Sequence, residues 1–280
     1  MNLGKRTMKA AIKFVKTDEK QARKIIKKKR DEFGVKGSLL STNTKLDKIA
    51  DGYTNTGHSL FPAKGAGVGN LCPKATPECE AACIGVTSGF NKFPAQKEAK
   101  IRKTKWLARD TFTYFMQLYI ELRNFSKKCK KREVKGCVRL NVYSDIVWEK
   151  VAPELFTEFP DIQFYDYTKI DARLKSFDVD NYDVTLSYSG YNLRECEDYL
   201  KSGGKVAVVF HNELPFTWLG YKVYNGDQHD YTFLHPSGSI LGLSAKGELK
   251  GDNENVFLGD NVIGSYKGYG NDIRLSVLNV

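Results

Sequence analysis

From residue 136 onward, short apolar runs alternate with short stretches of helical periodicity. Residues 138–144, 162–168, 184–188 and 205–210 are rich in β-branched and aromatic side chains and predict strands. Between them, 146–159, 172–176 and 193–201 predict helices, the last stopped by Ser202-Gly203-Gly204. Weaker strands are expected at 221–224 and 240–244. Ahead of this array lies the longest helical pattern, 95–128. There Ile101, Ala108, Phe112, Phe115, Met116, Tyr119, Leu122 and Phe125 return at three- and four-residue steps over a basic background. Residues 1–32 predict a basic helix or arm with a thin apolar stripe. Residues 33–71 are Gly-, Ser- and Asn-rich, with one short strand candidate at 38–41.

Strands alternating with helices imply crossovers and a parallel sheet. The expected fold is α/β, a parallel-stranded partial (β/α) barrel of about six strands with a basic N-terminal helical extension. An open doubly wound sheet is the other closure that the alternation allows. The expected organisation is an arm over 1–32, a barrel-like domain over 33–250 and a C-terminal extension over 251–280 packed on the barrel.

Charge changes this picture by being uneven. The net +11 combines 31 Lys and Arg against 12 Asp and Glu in residues 1–135 with 13 against 21 in 136–280. The positive field therefore belongs to the N-terminal half, and a nucleic acid, nucleotide or acidic partner would be met there. No apolar run approaches the ~20 residues of a membrane span, and no signal-peptide core follows the N-terminal charges. A soluble, cytoplasmic protein is expected. No G-x-G-x-x-G opens a helix after a strand and no G-x4-G-K-[ST] occurs, which removes the support for Rossmann or P-loop nucleotide binding.

Three of the six cysteines, Cys72, Cys79 and Cys83, fall within twelve residues at spacing C-x6-C-x3-C. They lie between the glycine-rich approach 65–70 and the small, polar exit 85–91. Thiols gathered on an irregular loop suit a metal ion or an iron–sulfur cluster, and in a reducing compartment such a cluster suggests metal before disulfide. A closed zinc site needs a fourth ligand, which His58, Cys129 or Cys137 could supply. Three ligands alone suit a catalytic zinc or a cluster with an open iron. Cys196, at helical spacing with Leu193, Tyr199 and Leu200, is expected in the core. His229, between Gln228 and Asp230, is a general base, a metal ligand or an ordinary polar turn residue.

The predicted strands end in polar residues, as the mouth of a parallel barrel requires. Asp145, Asp166 and Lys169 are the candidate catalytic residues, and Asn141, Ser187 and Ser189 the candidate cofactor-binding ones. His211 and Asn212 end a further strand. Helix N-capping is the competing role for such residues.

One order of residues goes beyond physics. Cys72-Pro73-x-Ala75-Thr76-Pro77-x-Cys79, then Cys83 and a basic helix, leads to Arg139-Leu140-Asn141-x-x-Ser144-Asp145-Ile146-x-Trp148-Glu149 and to Phe164-Tyr165-Asp166-Tyr167-Thr168-Lys169. This order resembles a mainly phage-borne, uncharacterised family labelled gene product 88. The layout is also similar to radical S-adenosylmethionine proteins, in which a three-cysteine loop follows the first strand of a partial (β/α) barrel. Their usual spacing is C-x3-C-x2-C, and no Gly-Gly-Glu-type strand is present here. That resemblance implies Cys72, Cys79 and Cys83 as ligands of a [4Fe–4S] cluster, with S-adenosylmethionine as a further cofactor. Together with the phage-borne family and the basic N-terminal half, it points to a phage-encoded enzyme working in the host cytoplasm on a nucleotide or nucleic acid. The rival readings are a zinc-stapled, non-catalytic nucleic-acid-binding protein and a protein that engages a host protein partner.

Overall fold

A computed structural model describes residues 7–43, 46–48, 50–174, 178–211, 213–251, 254–256 and 258–261. Asp18 divides the basic N-terminal stretch into helices α1 (Thr7–Thr17) and α2 (Glu19–Phe33), its carboxylate accepting the Gln21 amide at 2.9 Å as an N-cap. Gly34 ends α2 at φ 64°, a left-handed position that glycine adopts without strain. Met8, Ala11, Ile12, Val15, Ala22 and Ile26 are buried in the main core. The stretch expected as a basic arm is therefore packed into the body, with its lysines outward.

The helix expected over 95–128 is two helices, α3 (Pro94–Arg109) and α4 (Thr111–Lys131). Asp110 leaves helical geometry and caps α4 by accepting the Thr113 amide at 3.2 Å. An aspartate competes for backbone donors and so favours a helix start over a helix interior. The helix expected over 146–159 is also divided, into α5 (Trp148–Val151) and α6 (Glu154–Glu158). Pro153 disfavours helical geometry at Ala152, which sits at φ −146°, ψ 58°.

One sheet holds β1 (Leu40–Ser41), β2 (Tyr53–His58), β3 (Lys135–Arg139), β4 (Ile162–Thr168), β5 (Tyr182–Ser187), β6 (Val206–Phe210), β7 (Thr217–Trp218), β8 (Tyr221–Asn225) and β9 (Ile240–Ser244). Its order is β1-β2-β3-β4-β5-β6-β9-β8-β7, parallel from β2 through to β8, with β1 and β7 antiparallel at the edges. The sheet is open, with nine strands rather than about six. β2 is the first parallel strand, and the polar sequence Tyr53-Thr-Asn-Thr-Gly-His58 did not announce it. Gly57 lets it pack closely, since a Cβ there would stand 2.5 Å from Leu46 and 2.6 Å from Val142.

Alternate strand residues face opposite sides. On one side Val138, Phe164, Tyr182 and Val184 pack with α1, α4 and α6. Farther along that side, Leu186, Val206, Val208 and Ile240 pack with α7 (Leu193–Lys201). On the other side Cys137 and Tyr165 pack with Tyr231 and Phe233, from the segment joining β8 to β9. Strands β1 to β6 lie in sequence order, and the order turns back only over β9-β8-β7. The helices packed on the sheet lie on one face, whereas a doubly wound sheet carries helices on both. The opposite face is closed below by the β8–β9 segment and left free above for a cavity.

Within the expected C-terminal extension, Leu258 pairs with Val209 in an isolated parallel bridge, and Trp218 donates its indole N–H to the Gly259 carbonyl at 3.3 Å. Residues 262–280, the helix end at 175–176 and Asn212 lie outside the described residues. No helix among the described residues is long and apolar enough to cross a membrane.

Candidate functional site

A cavity of about 1120 Å³ opens at the C-terminal ends of the parallel strands. Arg139, Tyr167, Ser187, Ala207, Val209 and Leu243 line it from the helix-free face, and the cysteine loop lines it from one side. Strand C-termini are where parallel α/β folds gather their chemistry.

The cysteine loop follows β2 and is more ordered than its composition suggests. Thr76 caps a short helix, Pro77–Ala81, by accepting the Cys79 amide at 3.2 Å, and Pro77 takes the first helical position. A second turn, Ile84–Thr87, begins directly after Cys83. All six cysteines are free thiols, and Cys72, Cys79 and Cys83 all line the cavity. The Cys72 thiol lies 3.4 Å from the Ala63 amide and 3.6 Å from the Tyr143 carbonyl. Burial pushes its pKa up to about 12, with Asp145, Cys83 and Cys79 adding negative charge nearby. Burial also raises Cys83, and Cys79 adds to the effect. Neighbouring thiolates thus add to the cost of ionising Cys72 and Cys83, a conflict that a bound cation would reverse.

Lys100, delivered by α3, anchors this loop. Its ammonium donates to the Gly85 carbonyl and to Asn91 Oδ1 at 2.8 Å, and lies 4.9 Å from the centre of the Tyr143 ring. Asn91 in turn donates to the Ile84 carbonyl at 3.0 Å and to the Tyr143 hydroxyl at 2.9 Å. A Cβ on Gly85 would come within 2.7 Å of the Tyr143 ring, so glycine permits this approach. Cys72 and the segment after Cys83 are therefore both fixed against Tyr143. Burial lowers Lys100 to about 8, against the pull of Cys83.

Asp145 lines the cavity near Cys72. Its carboxylate accepts the Thr168 hydroxyl at 2.7 Å and the Lys169 amide at 2.8 Å, with Arg173 at 3.6 Å. Burial raises its pKa in spite of these partners. Lys169 and Ser187 also line the cavity. Asn141 reaches it too, but its side chain works as a brace. Oδ1 accepts from Ser144, the Ile146 amide and the Trp148 indole, while Nδ2 donates to the Ile146 carbonyl and Asp166.

Two candidates stand elsewhere. Asp166 is fully buried on the helix-facing side of β4 and does not line the cavity. It accepts the Asn141 amide at 2.6 Å, Asn141 Nδ2 at 3.0 Å and the Tyr182 hydroxyl at 2.6 Å. Ser189 folds into the turn before α7, donating to Asn192 Oδ1 at 2.9 Å. Of the proposed extra metal ligands, His58 is buried on the helix side between the Leu140 carbonyl, at 3.1 Å, and the Tyr114 hydroxyl, at 2.5 Å. Burial holds it neutral, with a pKa of about 3. Cys129, Cys137 and Cys196 are buried away from the cavity, and His229 packs on His235 and Tyr231 at 5.1 and 5.7 Å. Among the described residues, no three His, Cys, Asp or Glu side chains converge as a ready-made metal site.

Lys100, Tyr143, Arg139 and Tyr167 are site residues that sequence reasoning missed. The last two could have been found by parity, because a strand residue flanked by helix-facing ones must point the other way. Arg139 lies 4.5 Å from the centre of the Tyr167 ring.

The position of Asp166 has a pH consequence. Burial raises its carboxyl to about 7, outweighing the hydrogen bonds it accepts, whereas an unfolded aspartate titrates at ~3.9. The folded state therefore holds the proton more tightly. Its stabilising effect is full below about pH 4 and is lost as pH rises towards 7. Asp166→Asn does not titrate. The stability difference, wild type minus variant, should fall on the order of 1 kcal/mol per pH unit across that window. Urea unfolding at stepped pH measures it, and a flat difference would show an aspartate ionised throughout.

A protein-family model described as Gene product 88 matches residues 19–258. No curated protein and no solved structure matches the chain significantly.

Proposed function

The chain belongs to the Gene product 88 family, and from the chemistry of its cavity we propose that it is an iron–sulfur enzyme acting at the C-terminal ends of its parallel strands. One observation carries this reading. Three free thiols line the cavity, and none of the other cysteines or histidines does. In number and chemistry the donors fit a group that takes three thiolates and keeps an open position, as a site-differentiated [4Fe–4S] cluster does, and loading would draw the three thiols together. The sequential order of β2 through β6 and helices on one face also suit a partial barrel, the setting in which such a loop follows the first parallel strand.

Cys72, Cys79 and Cys83 would hold the cluster, which when bound would supply an open iron for one-electron chemistry with S-adenosylmethionine. The chain's own residues prepare the site. The Lys100 ammonium and Asn91 fix the Cys83 end of the loop, and the Lys100 charge offsets the negative charge of the thiolates. Asp145, its pKa raised by burial, sets a carboxyl group into the cavity near Cys72. Tyr143, Tyr167 and Tyr188 supply aromatic surface within the cavity.

The test is purification of the full chain without oxygen, followed by an absorption spectrum and iron and sulfide analysis. A coloured protein with iron and acid-labile sulfide in equal amounts is expected. A colourless protein that takes up no iron on anaerobic reconstitution overturns the reading. One zinc per chain without sulfide would establish the zinc-stapled alternative instead.

A further inference from the structure

We propose that the mouth of this cavity binds single-stranded nucleic acid, with Phe90 and Phe93 as base-stacking platforms and Lys92, Lys169 and Lys246 as phosphate contacts. The proposal rests on the enzyme reading only for what happens after binding.

Phe90 and Phe93 are 76% and 51% exposed, and their rings stand 6.1 Å apart on the segment that follows the cysteine loop. Both line the cavity, with Lys92 between them in sequence. Exposed phenylalanines gain nothing from water, so a paired, outward placement beside a cavity calls for a flat apolar occupant. The charge of the lining says what else that occupant carries. Seven lysines and arginines line the cavity against two aspartates, Asp47 and Asp145. Several of the cations are already engaged. Lys100 anchors the cysteine loop, Arg139 pairs with Asp230, and Lys246 pairs with Asp227 at the exposed rim. The lining retains an excess of positive charge with these pairs counted.

A single strand offers both features that the mouth presents, phosphates for the lysines and unstacked base faces for the phenylalanines. A duplex offers the phosphates but keeps its bases stacked on each other. A free nucleotide has the same chemistry at lower valence. This places recognition at the cavity rather than on the N-terminal helices, whose apolar faces are packed into the core and whose lysines lie outside the cavity lining.

The test is fluorescence anisotropy of the full-length protein, purified without oxygen, with a labelled oligothymidylate of about 12 nucleotides. Binding should weaken steeply with salt. Phe90→Ala with Phe93→Ala should weaken it about tenfold or more, and Phe216→Ala, an equally exposed ring off the cavity, should leave it unchanged. Lys92→Gln should lower the salt slope by about one. Thermal melting checks that the variants fold. Absence of salt-dependent binding overturns the proposal. So does equal affinity for duplex or for a mononucleotide, or a loss confined to Lys27→Gln with Lys28→Gln on α2. Running the Cys72→Ala protein in parallel separates the two readings. Binding that survives without iron stands even if the cluster reading fails, and iron-loaded protein that binds no strand defeats only this one.

Discussion

Asp230→Ala should lower the stability of the protein by about 3–5 kcal/mol, the range for removing one partner of a buried ion pair. Asp230 is 1% exposed and accepts two hydrogen bonds from the Arg139 guanidinium, at 3.0 and 3.2 Å, and one from the Tyr165 hydroxyl at 3.1 Å. Tyr165 in turn accepts the Asn55 amide at 2.6 Å. The chain Asn55, Tyr165, Asp230, Arg139 thus ties β2, β3 and β4 to the segment that closes the lower part of the helix-free face. A guanidinium cannot shed its proton, so loss of Asp230 strands a full charge in the interior. Such a loss would be about a fifth or more of the ~5–15 kcal/mol stability of a typical domain. Chemical denaturation of the single variants and of Asp230→Leu with Arg139→Met measures it. The double variant should recover part of the loss, because both charges leave together. A cost within about 0.5 kcal/mol would mean that the pair behaves as a solvated surface contact.

That network also explains which parts of the fold could be read ahead of the structure. β4, β9 and α7 coincide with the segments expected over 162–168, 240–244 and 193–201. Their signals are local: an apolar run or a helical period, closed by turn residues. β2 carries no such signal. Its residues Tyr53 and Asn55 find their partners on Tyr231 and Tyr165, distant in sequence, so the burial that makes it a strand exists only once the sheet has formed. The break at Asp110 was hidden for the opposite reason, since an unbroken apolar stripe runs across it.

The candidate site divides along the same line. Three thiols within twelve residues are legible because proximity in sequence brings them together on one loop. The strand-end residues were chosen for polarity, and polarity does not report the face. Asp166 turns towards Tyr182 and the helices while its neighbour Tyr167 lines the cavity. Lys100 looked like one of many lysines filling the gaps in an amphipathic pattern. Its role depends on the Gly85 carbonyl and the Tyr143 ring, which only the folded chain brings to it.

Replacing Cys72, Cys79 or Cys83 by alanine, one at a time, should abolish stable iron and sulfide loading, whereas Cys129→Ala and Cys196→Ala should retain it. The distinction follows from position, because only the first three line the cavity and each would hold a different iron. Lys100→Met should fall between these groups. It removes a support and a compensating charge but no ligand, and losses of this kind weaken metal sites about 10- to 100-fold. pH should act in the same direction. Cys72 is held at about 12 in the metal-free chain, so loading must expel protons and should weaken as pH falls. Iron and sulfide analysis after anaerobic reconstitution, repeated across pH, reads all of these outcomes. Equal iron in all five cysteine variants would make the metal adventitious and remove the basis for an iron–sulfur enzyme. Loss of iron from only the three cavity cysteines, with Lys100→Met in between, would show a site built from its ligands outward, as the contacts around Tyr143 require.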